Sequence, residues 1–144
     1  MILYLDASAV VKLCVLEEGT SATKQLVNEA TAVVTSALSH VEFHAACARK
    51  LKEGGLANEE YRQAITTFRE DWNRYVFVEA EYPLLELACQ LAEHGGLRTL
   101  DAIHLASAIF VLRPHSLPSA FVGADHRLQE AAEAEGLKVV TLGS

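Results

Sequence analysis

The chain has 144 residues, 51% of them hydrophobic, with 12 Lys and Arg against 19 Asp and Glu for a formal charge of −7. A chain of this length buries roughly 70% of its unfolded surface in one core, so residues 1–144 read as a single domain, and the hydrophobic share excludes intrinsic disorder. The acidic balance excludes a nucleic-acid binder working through a broad basic surface, though not an enzyme that reaches phosphates through bound metal.

No apolar run attains the ~18 to 20 residues of a membrane span; the longest, 102–112, carries His104. The chain opens MILYL and meets Asp6 with none of the marks of a secretory leader, which gives a soluble, cytoplasmic protein as the expectation. Cys14, Cys47 and Cys89 are an odd number without a Cys-x-x-Cys pair, so neither a disulfide framework nor a zinc ribbon is indicated.

Residues 1–5 form a short apolar run predicted as a buried strand. Helices are predicted over 7–16 and, after the Gly19 break, over 21–29. Residues 32–35 are the second strand, and 36–52 a helix closed by Gly54 and Gly55. Asn58 can cap a further helix to about residue 73. The aromatic and β-branched stretch 75–78 is the third strand. Helices over 81–94, halted at Gly95 and Gly96, and over 99–112, stopped before Pro114, follow. A fourth strand at 120–122, a helix at 127–135 and a fifth strand at 139–141 complete the pattern. Strands alternating with one or two helices imply parallel pairing through right-handed crossovers, an α/β fold with helices on both faces of one sheet.

Ligand sites in such sheets lie beyond the carboxyl ends of the strands, where Asp6 and Asp125 both fall. Taken singly, each is more simply read as a helix N-cap or first-turn acid than as a functional group. Asp101 opens a helix of nearly continuous apolar character, with Thr99 as a possible cap. Glu42 lies within about 60° of Leu38 and Ala45 on the inward side of its helix, where a carboxylate needs a partner or a metal. Arg49 could be that partner.

Four segments, residues 5–12 (LDASAVVK), 41–42 (VE), 97–106 (LRTLDAIHLA) and 124–132 (ADHRLQEAA), together resemble the PIN-domain family, and most closely the VapC-type ribonuclease toxins of type II toxin–antitoxin modules. The resemblance spans nearly the whole chain. It implies a PIN-like three-layer α/β/α sandwich with a five-stranded parallel sheet in order 3-2-1-4-5. It also implies an acidic quartet, Asp6, Glu42, Asp101 and Asp125, that binds Mg²⁺ or Mn²⁺ and serves catalysis. Ser8 matches the hydroxyl that accompanies the first acid, and Thr99 the residue that helps fix the third. The family commonly carries Ser or Thr two residues before the fourth acid; here that position is Gly123, a departure that bears on how Asp125 is oriented. The implied activity is metal-dependent endoribonuclease cleavage by activated water, with an RNA substrate, a basic antitoxin that blocks the site with Arg or Lys, and a homodimer.

The chemistry of the residues agrees with this. Hard cations take oxygen ligands, four clustered carboxylates repel without one, and a bound divalent ion can activate water for attack on phosphorus. Lys12, Arg98 and Arg127 neighbour the motifs and are candidate phosphate contacts. Other readings weigh less. His40 and His44 share a helix face, but the spacing is His-x-Glu-x-His, which turns Glu42 away from a zinc-protease geometry. His104 reads as a hydrogen-bonded core histidine and His126 as exposed. A haloacid-dehalogenase-like, Mg²⁺-dependent phosphatase would need a second Asp two residues after the first, where Ser8 stands. A catalytically inactive PIN-like binding module is the remaining alternative, and retention of all four acids weighs against it.

Overall fold

The computed structural model describes residues 1–142. In chain order the elements are β1 (Ile2–Leu5), α1 (Ala7–Cys14), α2 (Thr20–Glu29), β2 (Ala32–Ser36), α3 (Ser39–Lys52), α4 (Asn58–Trp72) and β3 (Val76–Val78), then α5 (Tyr82–Gly95), α6 (Thr99–Leu112), β4 (Ser119–Gly123), α7 (His126–Ala134) and β5 (Val139–Thr141). All four strand pairings are parallel and the sheet order is β3-β2-β1-β4-β5, as expected.

The period of two along a strand separates the core into two layers. From β1 and β4, Ile2, Tyr4 and Phe121 join one layer with Leu84, Leu105, Ile109 and Leu128 from α5, α6 and α7. Leu3, Leu5, Ala120 and Val122 join the other with Val10, Phe43 and Phe68 from α1, α3 and α4. Central β1 is buried along its whole length, which is why its sequence is a continuous apolar run instead of an alternating one. Helix α6 is buried from Ala102 to Ile109 because it lies between the sheet and α5. Its apolar character on every side reflects that sandwiching.

Several boundaries differ from the sequence reading. Ser36 is a strand residue, held in register opposite Val78, and its Oγ accepts from the Leu38 amide at 3.1 Å; this moves the start of α3 to Ser39. Helix α1 stops at Cys14, two residues before the expected end. Asn58 is the first residue of α4; Ala57 takes the cap position and its amide donates to the Glu60 carboxylate at 2.8 Å. Arg98, not Thr99, stands at the cap of α6. Gly96 ends α5 at φ 65°, a left-handed conformation that side chains other than glycine's resist. The three cysteines are unpaired. Among the described residues, no helix is long and apolar enough to cross a membrane.

Candidate active site

β1 and β4 run side by side, Leu5 opposite Val122, and both release the chain at the same edge of the sheet. The Asp6 amide completes the ladder by donating to the Val122 carbonyl at 3.1 Å. Asp6 then caps α1, its Oδ1 accepting from the Ala9 amide at 3.0 Å and from Ser8 Oγ at 2.6 Å. The same Ser8 oxygen accepts from the Ala124 amide at 3.2 Å. One hydroxyl therefore joins the turn after β1 to the turn after β4.

Gly123 explains how the Asp6 carboxylate fits there. A Cβ built on Gly123 would stand 2.9 Å from Asp6 Cγ and 3.2 Å from its Oδ1, closer than packed atoms tolerate. The carboxylate thus occupies the space a side chain at 123 would need. The consequence of this glycine falls on Asp6. Asp125 is oriented separately, by capping α7 through the Leu128 amide at 3.0 Å. The Gly123 carbonyl is itself held by Gln129 Nε2 at 2.7 Å and the Leu142 amide at 3.2 Å.

Glu42 and Asp101 arrive in the first turns of α3 and α6. The start of α3 is pinned to the end of β1 by buried hydroxyls: Thr35 Oγ1 donates to the Leu5 carbonyl at 2.7 Å and lies 2.7 Å from Ser39 Oγ. Four helix N-termini, those of α1, α3, α6 and α7, therefore each carry one acid of the set, where the helix dipole favours negative charge. Glu42 does not pair with Arg49, which is exposed. Its Oε1 accepts from His104 Nε2 at 2.7 Å, and His104 Nδ1 lies 2.8 Å from the Tyr4 hydroxyl.

Burial sets the electrostatics. Asp6 is 4% exposed, and loss of hydration pushes its carboxyl above the ordinary Asp value, with Asp101 adding to the rise and Ser8, His104 and the Ala9 amide opposing it. Asp101 is pushed up too, first by burial and next by the charge of Asp125, with Glu42 also contributing. The acids thus act on one another through space. Among the described residues, however, no three acidic, His or Cys side chains are gathered tightly enough to hold a metal ion between them. The four candidate donors are all hard carboxylate oxygens, the ligand type that Mg²⁺ or Mn²⁺ takes, and Mg²⁺ typically uses one or two carboxylates and keeps several waters.

The supporting residues divide. Ser8 contacts Asp6 directly, whereas Thr99 is exposed and, among the described residues, has no hydrogen bond to Asp101. Arg98 and Arg127 are exposed beside Asp101 and Asp125. Lys12 is 4% exposed, with its ammonium 3.3 Å from Glu17 and 2.8 Å from the Glu18 carbonyl, so it is neither a surface charge nor free to meet a phosphate. A groove of about 410 Å³ leads away from Ser8 and Glu42 past Leu100 toward Arg49 and Lys50. His40 and His44 stack on each other at 4.9 Å and edge-on against Phe68, and His126 is exposed. The sequence reading missed Thr35, Ser39, Gln129 and the pairing of Tyr4 and His104 with Glu42; the polarity of His104 in an otherwise apolar helix was the one signal available.

The PIN domain family model matches residues 3–134. The chain is 33% identical to ribonuclease VapC45 of Mycobacterium tuberculosis over 138 residues, 96% of this chain and 94% of that protein. It is 33% identical to ribonuclease VapC35 of the same organism over 143 residues, 98% of this chain and 97% of that protein. The crystal structure of VapBC2 from Rickettsia felis, bound to a DNA fragment from their promoter, superposes with a TM-score of 0.66 at 12% identity, over 99% of both chains; at that identity the likeness concerns the fold. With four acids at the carboxyl edge of a 3-2-1-4-5 parallel sheet and this match over most of its length, the chain belongs to the PIN-domain family, and its curated relatives are VapC ribonucleases.

Proposed function

We propose that this chain is an endoribonuclease dependent on Mg²⁺ or Mn²⁺, the toxin of a toxin–antitoxin pair, acting in the cytoplasm as a homodimer of single PIN domains. The observation that carries the reading is Asp6: a carboxylate 4% exposed, raised in pKa by burial, and seated on a glycine at the junction of two strands. A capping acid gains nothing from such desolvation.

Asp6 and Asp101 would hold the ion, with Glu42 and Asp125 completing the set through direct contact or bound water. The ion would supply Lewis acidity toward a phosphate oxygen and an activated water. Ser8 keeps Asp6 oriented and ties it to the β4 turn. Exposed Arg98 and Arg127 flank the acids and can meet the phosphates on either side of the scissile bond. Lys12, held by Glu17, is left out of that role. In the inhibited state, Arg or Lys from a basic antitoxin segment would occupy the acids, Arg best because its planar fork serves two oxygens at once.

The test is cleavage of a single-stranded RNA by the metal-free chain, in chelator and after Mn²⁺ is added. We expect cutting only with Mn²⁺, leaving 5′-phosphate and 3′-hydroxyl ends. Binding of RNA without cleavage at any metal concentration would favour the inactive-module reading.

A further inference from the structure

Behind the acids lies a polar chain that the metal chemistry does not account for. Tyr4 is fully buried and His104 is 3% exposed. β1 places Tyr4 two residues before Asp6 on the sheet face covered by α6, and α6 places His104 one turn beyond Asp101. The contacts run in one line: Tyr4 hydroxyl to His104 Nδ1, 2.8 Å; His104 Nε2 to Glu42 Oε1, 2.7 Å. Tyr4 is stacked on Phe121 at 5.7 Å between ring centroids, and His104 meets Tyr4 edge-on at 6.0 Å. The imidazole is thus fixed by packing on one side and by hydrogen bonds at both nitrogens.

The proton arrangement follows from what each group can do. A carboxylate offers only acceptors, so the hydrogen in the contact with Glu42 sits on Nε2, and the Tyr4 hydroxyl, which can both donate and accept, meets Nδ1. Ser107, the nearby hydroxyl on α6, already donates to the Ile103 carbonyl. Glu42 is a long side chain on the first turn of α3, about one-fifth exposed, and without a donor it would be free to take several rotamers.

We propose that Tyr4 and His104 are positioning residues: the Nε2–H group of His104, braced by the Tyr4 hydroxyl, holds the Glu42 carboxylate in place at the mouth of the site. The proposal rests on the reading of Glu42 as one of the site acids. Partners that orient ligating carboxylates typically cost about 10–100-fold in affinity or activity when lost.

Three readouts on the full chain test it: RNA cleavage kinetics with Mn²⁺, Mn²⁺ affinity titrated without RNA, and the His104 tautomer read by long-range ¹H–¹⁵N NMR of the metal-free protein. We expect the hydrogen on Nε2. His104→Leu should lower kcat by about 10-fold or more at unchanged KM and weaken Mn²⁺ binding. His104→Gln, whose amide can donate from near the Nε2 position, should recover most of both losses, and Tyr4→Phe should shift kcat in the same direction by less. Equal losses in folded Leu and Gln variants, a change in KM alone, or a ring whose only hydrogen is on Nδ1 would overturn the proposal. Should the Leu variant not fold, the Gln variant with near-native Mn²⁺ affinity supports the assignment and one with a large loss refutes it. If the wild type cuts no RNA, the nuclease reading falls by itself, while the tautomer and the Mn²⁺ titration still decide whether His104 positions Glu42.

Discussion

At the end of β1 and at the end of β4 the chain makes the same local move, a strand giving way to an Asp that caps a helix, with Oδ1 accepting from the amide three residues on at 3.0 Å in both cases. The surroundings then diverge. Asp6 follows its strand directly, sits 4% exposed over Gly123 and takes a second hydrogen bond from Ser8, whereas Asp125 follows a Gly-Ala spacer and is exposed. A cap explains Asp125 completely as far as the hydrogen bonds go. It explains only half of Asp6, because a cap works as well at the surface, and burial without compensation costs stability. Matching local geometry with unequal burial therefore separates an acid that capping leaves half explained, which we propose as a metal ligand, from one whose hydrogen bonds serve the fold alone.

The strongest way to break this contrast is to remove the charge from each acid in turn. Asp6→Asn preserves shape and capping but removes ligand charge, and should lower RNA cleavage by more than about 100-fold, beyond the usual loss for an outer partner. Asp125→Asn should cost about 10-fold. Cleavage rates of both folded variants in saturating Mn²⁺ check this, and equal losses would show that exposure does not rank the two acids.

The next effect comes from Gly123. Its φ is not in the left-handed region, so its backbone would accept alanine, and the obstacle is the Asp6 carboxylate. Gly123→Ala should push that carboxylate aside, costing roughly 1–3 kcal/mol as other overpacked sites do and about 10-fold or more in cleavage if Asp6 is the central ligand. Denaturant unfolding beside a cleavage assay measures both. A stable, fully active alanine variant would mean that Asp6 has room to spare.

Much of this was legible in the sequence, and the parts that were not have physical reasons. Strand and helix periodicity placed every element, because buried parallel strands are continuous apolar runs and α6 is apolar on all sides. Asp101 and Glu42 were legible as acids that patterning explains poorly, while Asp6 and Asp125 taken singly read as helix caps, and the four came together as a set through the family resemblance. The partner of Glu42 was not: His104 is 62 residues away in sequence, and only the packing of α6 beneath β1 brings it close, so local spacing suggested Arg49 instead. Lys12 misled for a related reason, since a long aliphatic stem can be buried while its ammonium reaches Glu17. Gly123 was read through its effect on Asp125, two residues on in sequence, whereas its neighbour in space is Asp6.

The smallest expected effect is on stability, and its sign is the informative part. Asp101 is half-buried and its carboxyl is pushed up by burial and by Asp125, the opposite of an acid that is merely capping a helix or favoured by its dipole. A raised native pKa means that the folded chain binds more protons than the unfolded chain between the unfolded value and the native one. Stability from this group therefore falls as pH rises through that window and is recovered as pH falls back toward the unfolded value. At neutral pH the ionised carboxylate is a burden on the metal-free fold, so Asp101→Asn should raise its melting temperature by about 1–3 °C, a sub-kcal/mol effect for a partly screened group. Mn²⁺ acts in the other direction. At about 100 times its dissociation constant it should stabilise the wild type by roughly 2.7 kcal/mol if the unfolded chain does not bind it, and less in the variant, which has lost a ligand. Melts of both proteins in chelator and in Mn²⁺ read the two changes together. A metal-free variant that melts lower, with an undiminished Mn²⁺ shift, would make Asp101 a structural acid at the head of α6, and the contrast between the two strand ends would then rest on Asp6 alone.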